Sequence, residues 1–136
     1  MSSFCQCGSV ARKGFVMEDE ELTYLINGSI FEVNKILGSG FLEKVYENAL
    51  AHELRTKGLG VAQQVPITVN FKGIIVGEYV ADILVENRII IELKALDCLK
   101  KIHEAQILNY LKATSHRLGF LVNFTYPKAE IRRFIL

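Results

Sequence analysis

The sequence predicts an α/β fold in which two helices precede a mixed sheet and a third helix is inserted before the last strands. Three observations predict it. Apolar residues recur every three or four positions from Leu22 to Leu37 and again after Phe41, the spacing of helices that bury one face. From Val65 to Leu93 the period shortens to two and then gives way to continuous apolar runs, the pattern of strands. After Leu99 the helical spacing returns before another apolar run, Leu118 to Phe124, and a helix between two strands lets them pair in parallel. The predicted order is α-α-β-β-β-α-β-β, a mixed sheet flanked by helices.

The first helix opens on Glu18-Asp19-Glu20-Glu21, charges suited to the positive end of a helix dipole. Its expected buried stripe is Leu22, Leu25, Ile26, Ser29, Ile30, Val33, Ile36 and Leu37, and Gly38-Ser39-Gly40 stops it. The second runs from Phe41 to about Lys57, with Leu42, Val45, Tyr46, Ala49 and Leu54 on its apolar side. Strands are expected over Val65 to Phe71, Ile74 to Val85 and Ile89 to Leu93. Pro66 suggests an edge position, and Gly77 suggests a bulge. The third helix spans about Leu99 to Thr114, with Leu99, Ile102, Ala105, Leu108 and Leu111 on one side and His103, Gln106 and Tyr110 together on another. Ile131 to Leu136 is expected to be a last extended element.

The chain has 136 residues, enough for a single core, and half of them are apolar. Residues 1 to 16 carry neither period and are expected to be a flexible N-terminal tail ahead of a single domain over 17 to 136. A net charge of +1 says little about partners, though a dedicated non-specific nucleic-acid binder is usually more basic. Contact with phosphate must therefore rest on local patches such as Lys100-Lys101 or Arg132-Arg133. No apolar run approaches the ~20 residues of a membrane span, so no membrane partner is expected. The three cysteines, Cys5, Cys7 and Cys98, do not make a disulfide framework, and no secretory pattern precedes them, so a reducing, cytoplasmic setting is expected. A zinc site would need all three and His103 to converge, and C-x-C without a second pair points only weakly that way.

The stretch Tyr79 to Lys94 carries the candidate chemistry. Two apolar runs separated by Glu86, Asn87 and Arg88 read as an antiparallel hairpin interrupted by Asp82, Glu92 and Lys94. Side chains two apart share a face, so Glu92 and Lys94 project together. With a three-residue loop, Val85 pairs with Ile89 and Asp82 falls opposite Glu92. A two-residue loop would put Asp82 on the other face. The three-residue loop is expected, because no strong two-residue turn signal is present.

Two hard carboxylates on neighbouring strands suit Mg²⁺ or Mn²⁺, which take one or two carboxylates and complete their shell with water and phosphate oxygens. A neighbouring ammonium can orient the attacking water and stabilise charge on the phosphate. The alternative is a structural ion pair. Glu43, in the first turn of the second helix and three residues before Tyr46, is either a favourable helix-start charge or a third carboxylate over the sheet. Gln106 either faces the phosphate or its water, or is a satisfied amide. His103 is a weaker candidate.

Taken together, Asp82, Glu92-x-Lys94 and an acidic helix residue resemble the core of the PD-(D/E)XK nuclease superfamily, the restriction-endonuclease-like fold. Gly40-x-x-Glu43-x-x-Tyr46 resembles the signature of the GxxExxY protein family, as do G-F-L-E-K-V-Y-E-N-A-L, G-E-Y-V-A-D, I-E-L-K-A and H-E-A-Q-I-L-N-Y-L-K-A-T, over about residues 20 to 136. The resemblance implies a Mg²⁺-dependent nuclease acting on nucleic acid, DNA ahead of RNA. Asp82 and Glu92 would hold the metal, Lys94 would assist the water, Glu43 would support the metal shell, and Gln106 would position substrate or water. Tyr46, His103 and Tyr110 would be accessory. The chain departs from the pattern at Ala81, where the superfamily's name has proline, and at Asn34, where histidine is usual after Val33. Asparagine cannot shuttle a proton near neutral pH. A catalytically silent module that binds nucleic acid or a protein partner is the alternative function. A homodimer would let two sites meet two strands, though no sequence patch demands it.

Overall fold

The computed structural model describes residues 16–136. The tail expected over 1 to 16, with Cys5 and Cys7, lies outside the described residues except for Val16. The elements are α1 (Asp19–Leu37), α2 (Glu43–Thr56), β1 (Val61–Phe71), β2 (Ile74–Val85), β3 (Ile89–Lys94), α3 (Lys101–Ala113), β4 (Leu118–Asn123) and β5 (Glu130–Ile135), in the order the sequence predicts. The five strands form one sheet whose spatial order is also β1 to β5. β3 and β4 pair in parallel across the α3 crossover, and the other neighbours are antiparallel.

The sheet is covered on both faces. Leu22, Ile26 and Ile30 of α1 and Leu50 and Leu54 of α2 pack with Ile89, Ile91, Leu93, Phe120 and Val122. Tyr110, Leu111 and Ile107 of α3 pack with Ile67, Ala81, Ile90 and Leu121 in separate clusters. Residues 89, 91 and 93 therefore serve one layer and residue 90 the other, which is why β3 opens on a continuous apolar run, Ile89 to Ile91, before Glu92 and Lys94.

Local chemistry sets the ends of the helices. At the start of α1 the Glu18 N–H donates to Glu21 Oε1 at 3.0 Å. At its end Gly38, with φ of 70°, donates its N–H to Asn34 O at 2.8 Å. Arg88, in the β2–β3 turn, reaches Asp19 and the Met17 carbonyl and so ties the start of α1 to the sheet. Arg132 of β5 is held by Glu104 and Glu130, which removes it from the phosphate-binding patches expected of Arg132-Arg133.

The buried stripes differ from expectation at several positions. Ile36 and Val45 are exposed, Leu42 is 80% exposed and Ile102 is 69% exposed. Ala105 is also exposed. The faces actually buried are Tyr46, Glu47, Leu50, Ala51 and Leu54 on α2 and Ile107, Tyr110 and Leu111 on α3. The series Leu99, Ile102, Ala105, Leu108, Leu111 fails geometrically. Steps of three fall about 60° short of a full turn, so the four steps between these five residues drift about 240° round the helix instead of running down one side.

β1 begins at Val61, four residues before the expected Val65. It is the edge strand that Pro66 suggests. The register shifts between Val69 and Asn70, which skips Val76 beside Gly77 on β2, where the sequence predicts the bulge. A second irregularity matters more. Ile83 and Val85 pack with the α1 and α2 layer, whereas Ala81, two residues earlier on the same strand, packs with the α3 layer. On β1, Val61 belongs to the first layer and Ile67 to the second. In a regular strand such residues share a face, so the alternation of both strands slips by one between these positions. Gln64 on β1, with φ of 55°, and Asp82 on β2 lie at the slip.

Candidate active site

β2 and β3 are zipped by ordinary pairing at Val85 and Ile89, Leu84 and Ile90, and Ile83 and Ile91. This is the register of a three-residue loop, with Glu86 and Asn87 both at positive φ and the Arg88 N–H donating to Val85 O at 2.9 Å. One pair further on, at Asp82 and Glu92, side chains replace the ladder. The Asp82 N–H donates to Glu92 Oε1 at 2.9 Å, and the Leu93 N–H donates to Asp82 Oδ2 at 2.8 Å. The two carboxylates therefore meet in the opening between the strands.

Each carboxylate keeps one oxygen clear of backbone. Gln64 Nε2 approaches Asp82 Oδ1 at 3.4 Å, and Glu92 Oε2 has no hydrogen bond among the described residues. Glu92 is only 4% exposed. Burial, followed by the charge of Asp82, pushes its carboxyl up to about 8. Asp82 is also raised, chiefly by burial and with a contribution from the charge of Glu47, while the Leu93 N–H opposes the shift. Lys94 lowers both and closes no ion pair among the described residues.

Glu47 has no counterpart among the sequence candidates. It is 3% exposed on the buried face of α2, and its carboxylate accepts from Lys44 Nζ at 3.0 Å, Gln63 Nε2 at 2.7 Å and Gln64 Nε2 at 2.8 Å. Gln64 thus spans Glu47 and Asp82 from a left-handed backbone conformation that a non-glycine residue rarely adopts. The available signal is spacing: Glu47 lies four residues after Glu43, on the same helix face. Glu43 itself is exposed at the start of α2, near enough to add the smallest of the contributions that raise Glu92.

The remaining candidates separate by surroundings. Gln106 Nε2 donates to Tyr110 Oη at 3.0 Å, and both line a cavity of about 840 Å³ with Lys94 and His103. Burial and the charge of Glu92 raise the Tyr110 phenol. His103 Nδ1 accepts the Lys100 N–H at 2.9 Å and caps α3, while Cys98 is free and exposed. Asn34 has no hydrogen bond to Asp82, Glu92 or Lys94; its carbonyl closes α1.

Tyr46 is buried in the α1 and α2 layer, its ring stacked on Phe124 with centroids 4.4 Å apart. Its hydroxyl donates to Gly38 O at 2.6 Å and accepts the Phe41 N–H at 3.2 Å, which clamps the α1–α2 turn ahead of Glu43. Tyr46→Phe is expected to cost about 1–2 kcal/mol in denaturant unfolding, because both backbone partners lose their bond.

The donor set suits a small hard cation. Among the described residues no three His, Cys, Asp or Glu side chains gather as a metal cage. Mg²⁺ and Mn²⁺ need no such cage, since one or two carboxylates suffice when water and phosphate oxygens complete the shell. Asp82 Oδ1 and Glu92 Oε2 are the oxygens available, and a cation between them would offset the charge that burial disfavours on both.

No curated protein matches this chain. Among solved structures, SSO0001 superposes with a TM-score of 0.54 at 22% identity, covering 86% of this chain and 59% of its own, which is likeness of fold. The chain thus spans about three fifths of that structure. An alkaline exonuclease, LHK-Exo from Laribacter hongkongensis, gives a TM-score of 0.42 at 13% identity, covering 89% of this chain and 72% of its own. The family model described as the PD-(D/E)XK nuclease superfamily matches residues 20–134, and with nearly the whole described chain inside that match, this protein belongs to the superfamily.

Proposed function

We propose that this protein is a divalent-metal-dependent nuclease that hydrolyses phosphodiester bonds in nucleic acid, DNA ahead of RNA, and that within its superfamily it is of the GxxExxY kind. The observation that carries the reading is the meeting of Asp82 and Glu92 in the parted strands, with the uncommitted ammonium of Lys94 beside them on the wall of an open cavity. Superfamily membership supports the same chemistry.

Asp82 and Glu92 would hold the cation, Mg²⁺ or Mn²⁺, through their two available oxygens. When bound, it would polarise the phosphate and make water a better nucleophile. Lys94 orients that water and stabilises the negative charge that develops on the phosphate. Gln106, fixed by its bond to Tyr110, offers its carbonyl oxygen to the water or the substrate. Glu47 keeps Gln64 against Asp82 and so fixes the direction of that carboxylate. Glu43, whose charge reaches Glu92, would support the shell of a bound cation.

The test is titration of Mg²⁺ and Mn²⁺ against labelled DNA and RNA, comparing wild type with Lys94→Ala. Metal-dependent cleavage by wild type alone supports the proposal. Nucleic-acid binding without cleavage at any metal concentration would make the protein a catalytically silent module. A loss of stability without any effect on nucleic acid would reduce the cluster to an internal ion network.

A further inference from the structure

The cavity beside Lys94 is larger than the carboxylate chemistry needs. It runs between α3 and the β1–β2 hairpin, and its lining continues from Lys94 past Gln106 and Tyr110 to Lys112 on the helix side. Thr68, Asn70 and Tyr79 form the hairpin side. From Ile102 to Ala113 the helix rises about 16 Å, a length over which a stacked strand at about 3.4 Å per nucleotide places about four to five nucleotides.

Its surface has the composition of a base-accepting groove. Tyr79 is 52% exposed, with its ring 5.8 Å from that of Tyr110 and tilted 44° to it, so a flat aromatic face is left open to the cavity. The side-chain amides of Asn70 and Asn109, both on the cavity wall, make no hydrogen bond among the described residues, which leaves donors and acceptors for a base edge. Lys94 and Lys112 supply positive charge along the same wall. Stacking on an aromatic face, unpaired amides and cations spaced for a backbone are the means by which proteins hold unpaired bases. A base inside a duplex cannot present its face to Tyr79, because its own neighbours cover that face.

We propose that this cavity receives an unpaired nucleotide adjacent to the cleaved phosphate, stacked on Tyr79, so that the substrate is a single strand or an open end in preference to intact duplex. The inference deepens the nuclease reading and rests on it for the meaning of "adjacent to the cleaved phosphate". The face slip at Gln64 and Asp82 explains how the site arises. It turns the outer half of the hairpin so that Tyr79, like Ala81, looks toward α3 while Asp82 stays at the metal-binding carboxylates.

The test is fluorescence anisotropy of the full chain, in EDTA, with a labelled single-stranded oligothymidylate and with a blunt duplex of equal length. The expected result is at least about tenfold tighter binding of the single strand. Tyr79→Ala should weaken that binding about 5- to 150-fold, and Tyr79→Phe, which keeps the ring, should stay within about twofold of wild type. Duplex binding should be the same in all three proteins. Duplex bound as tightly as single strand, Tyr79→Ala without effect on the single strand, or Tyr79→Phe as weak as Tyr79→Ala would each overturn the proposal. The half-exposed ring lets Tyr79→Ala fold, which an unchanged thermal melt confirms. If single-strand binding depends on Tyr79 but no cation supports cleavage, the stacking site stands and the nuclease reading falls. Lys94-dependent cleavage with Tyr79-independent binding would instead remove the stacking site and leave the nuclease reading in place.

Discussion

Lys94→Ala is expected to lower metal-dependent cleavage by about 10²–10³-fold, the usual loss when one charge-stabilising group is removed from a hydrolytic site. Its unfolding free energy should stay within about 0.5 kcal/mol of wild type. The second expectation follows because Lys94 closes no ion pair among the described residues and its charge is one of the smaller influences on Asp82 and Glu92, behind burial and the backbone hydrogen bonds. Metal affinity should not fall either, because removing an ammonium removes repulsion from the cation. Asp82→Asn and Glu92→Gln should instead weaken metal binding and cleavage together. Rate, stability and metal affinity measured on the three variants thus separate the assisting charge from the ligands. A Lys94→Ala protein that melts several degrees lower would show that the ammonium was structural.

The pH dependence of stability should be large and should shrink in Glu92→Gln to the part that Asp82 contributes. A carboxyl near 4.5 when the chain is unfolded and near 8 when folded binds its proton more tightly in the native state. Its contribution is therefore fully present below pH 4.5 and is lost as pH rises through about 8. Asp82, raised in the same direction, adds to the trend. In EDTA the wild type should lose a few kcal/mol relative to Glu92→Gln between about pH 5 and pH 8, and the variant should be the more stable protein at about pH 8. Adding Mg²⁺ should restore the wild type at about pH 8, do little at about pH 5 where protons occupy the oxygens, and leave Glu92→Gln nearly unaffected. Thermal melts across pH with and without cation measure all of this. A wild type that gains stability relative to Glu92→Gln on going from about pH 5 to about pH 8 in EDTA would contradict it.

What could be read from the residues depended on whether periodicity applied. Asp82, Glu92 and Lys94 were legible because strand alternation holds along β3 and because the β2–β3 loop takes the three-residue register expected where no strong two-residue turn signal is present. The helices were legible as helices. Their buried faces were less so: Glu47 lies on the buried side of α2 although charged, and Ile102 on the open side of α3 although apolar. The support around Asp82 was not legible. Gln63 and Gln64 have the look of residues before a strand, because a strand that exchanges its faces at a left-handed glutamine has no single period to detect. Tyr79 is legible only as a strand residue for the same reason, since its partner Tyr110 is reached only after that exchange.

The hydrogen bonds by which Asp82 and Glu92 fasten β2 to β3 bear on how such a chain would decay if the cleavage proposed for it were no longer required. Both acids would still be retained for holding two main-chain amides, whereas no hydrogen bond or ion pair among the described residues would retain the lysine two positions on. In descendants of this chain, therefore, the acidic pair would testify only to folding. The residue at position 94 would tell an active lineage from a relic.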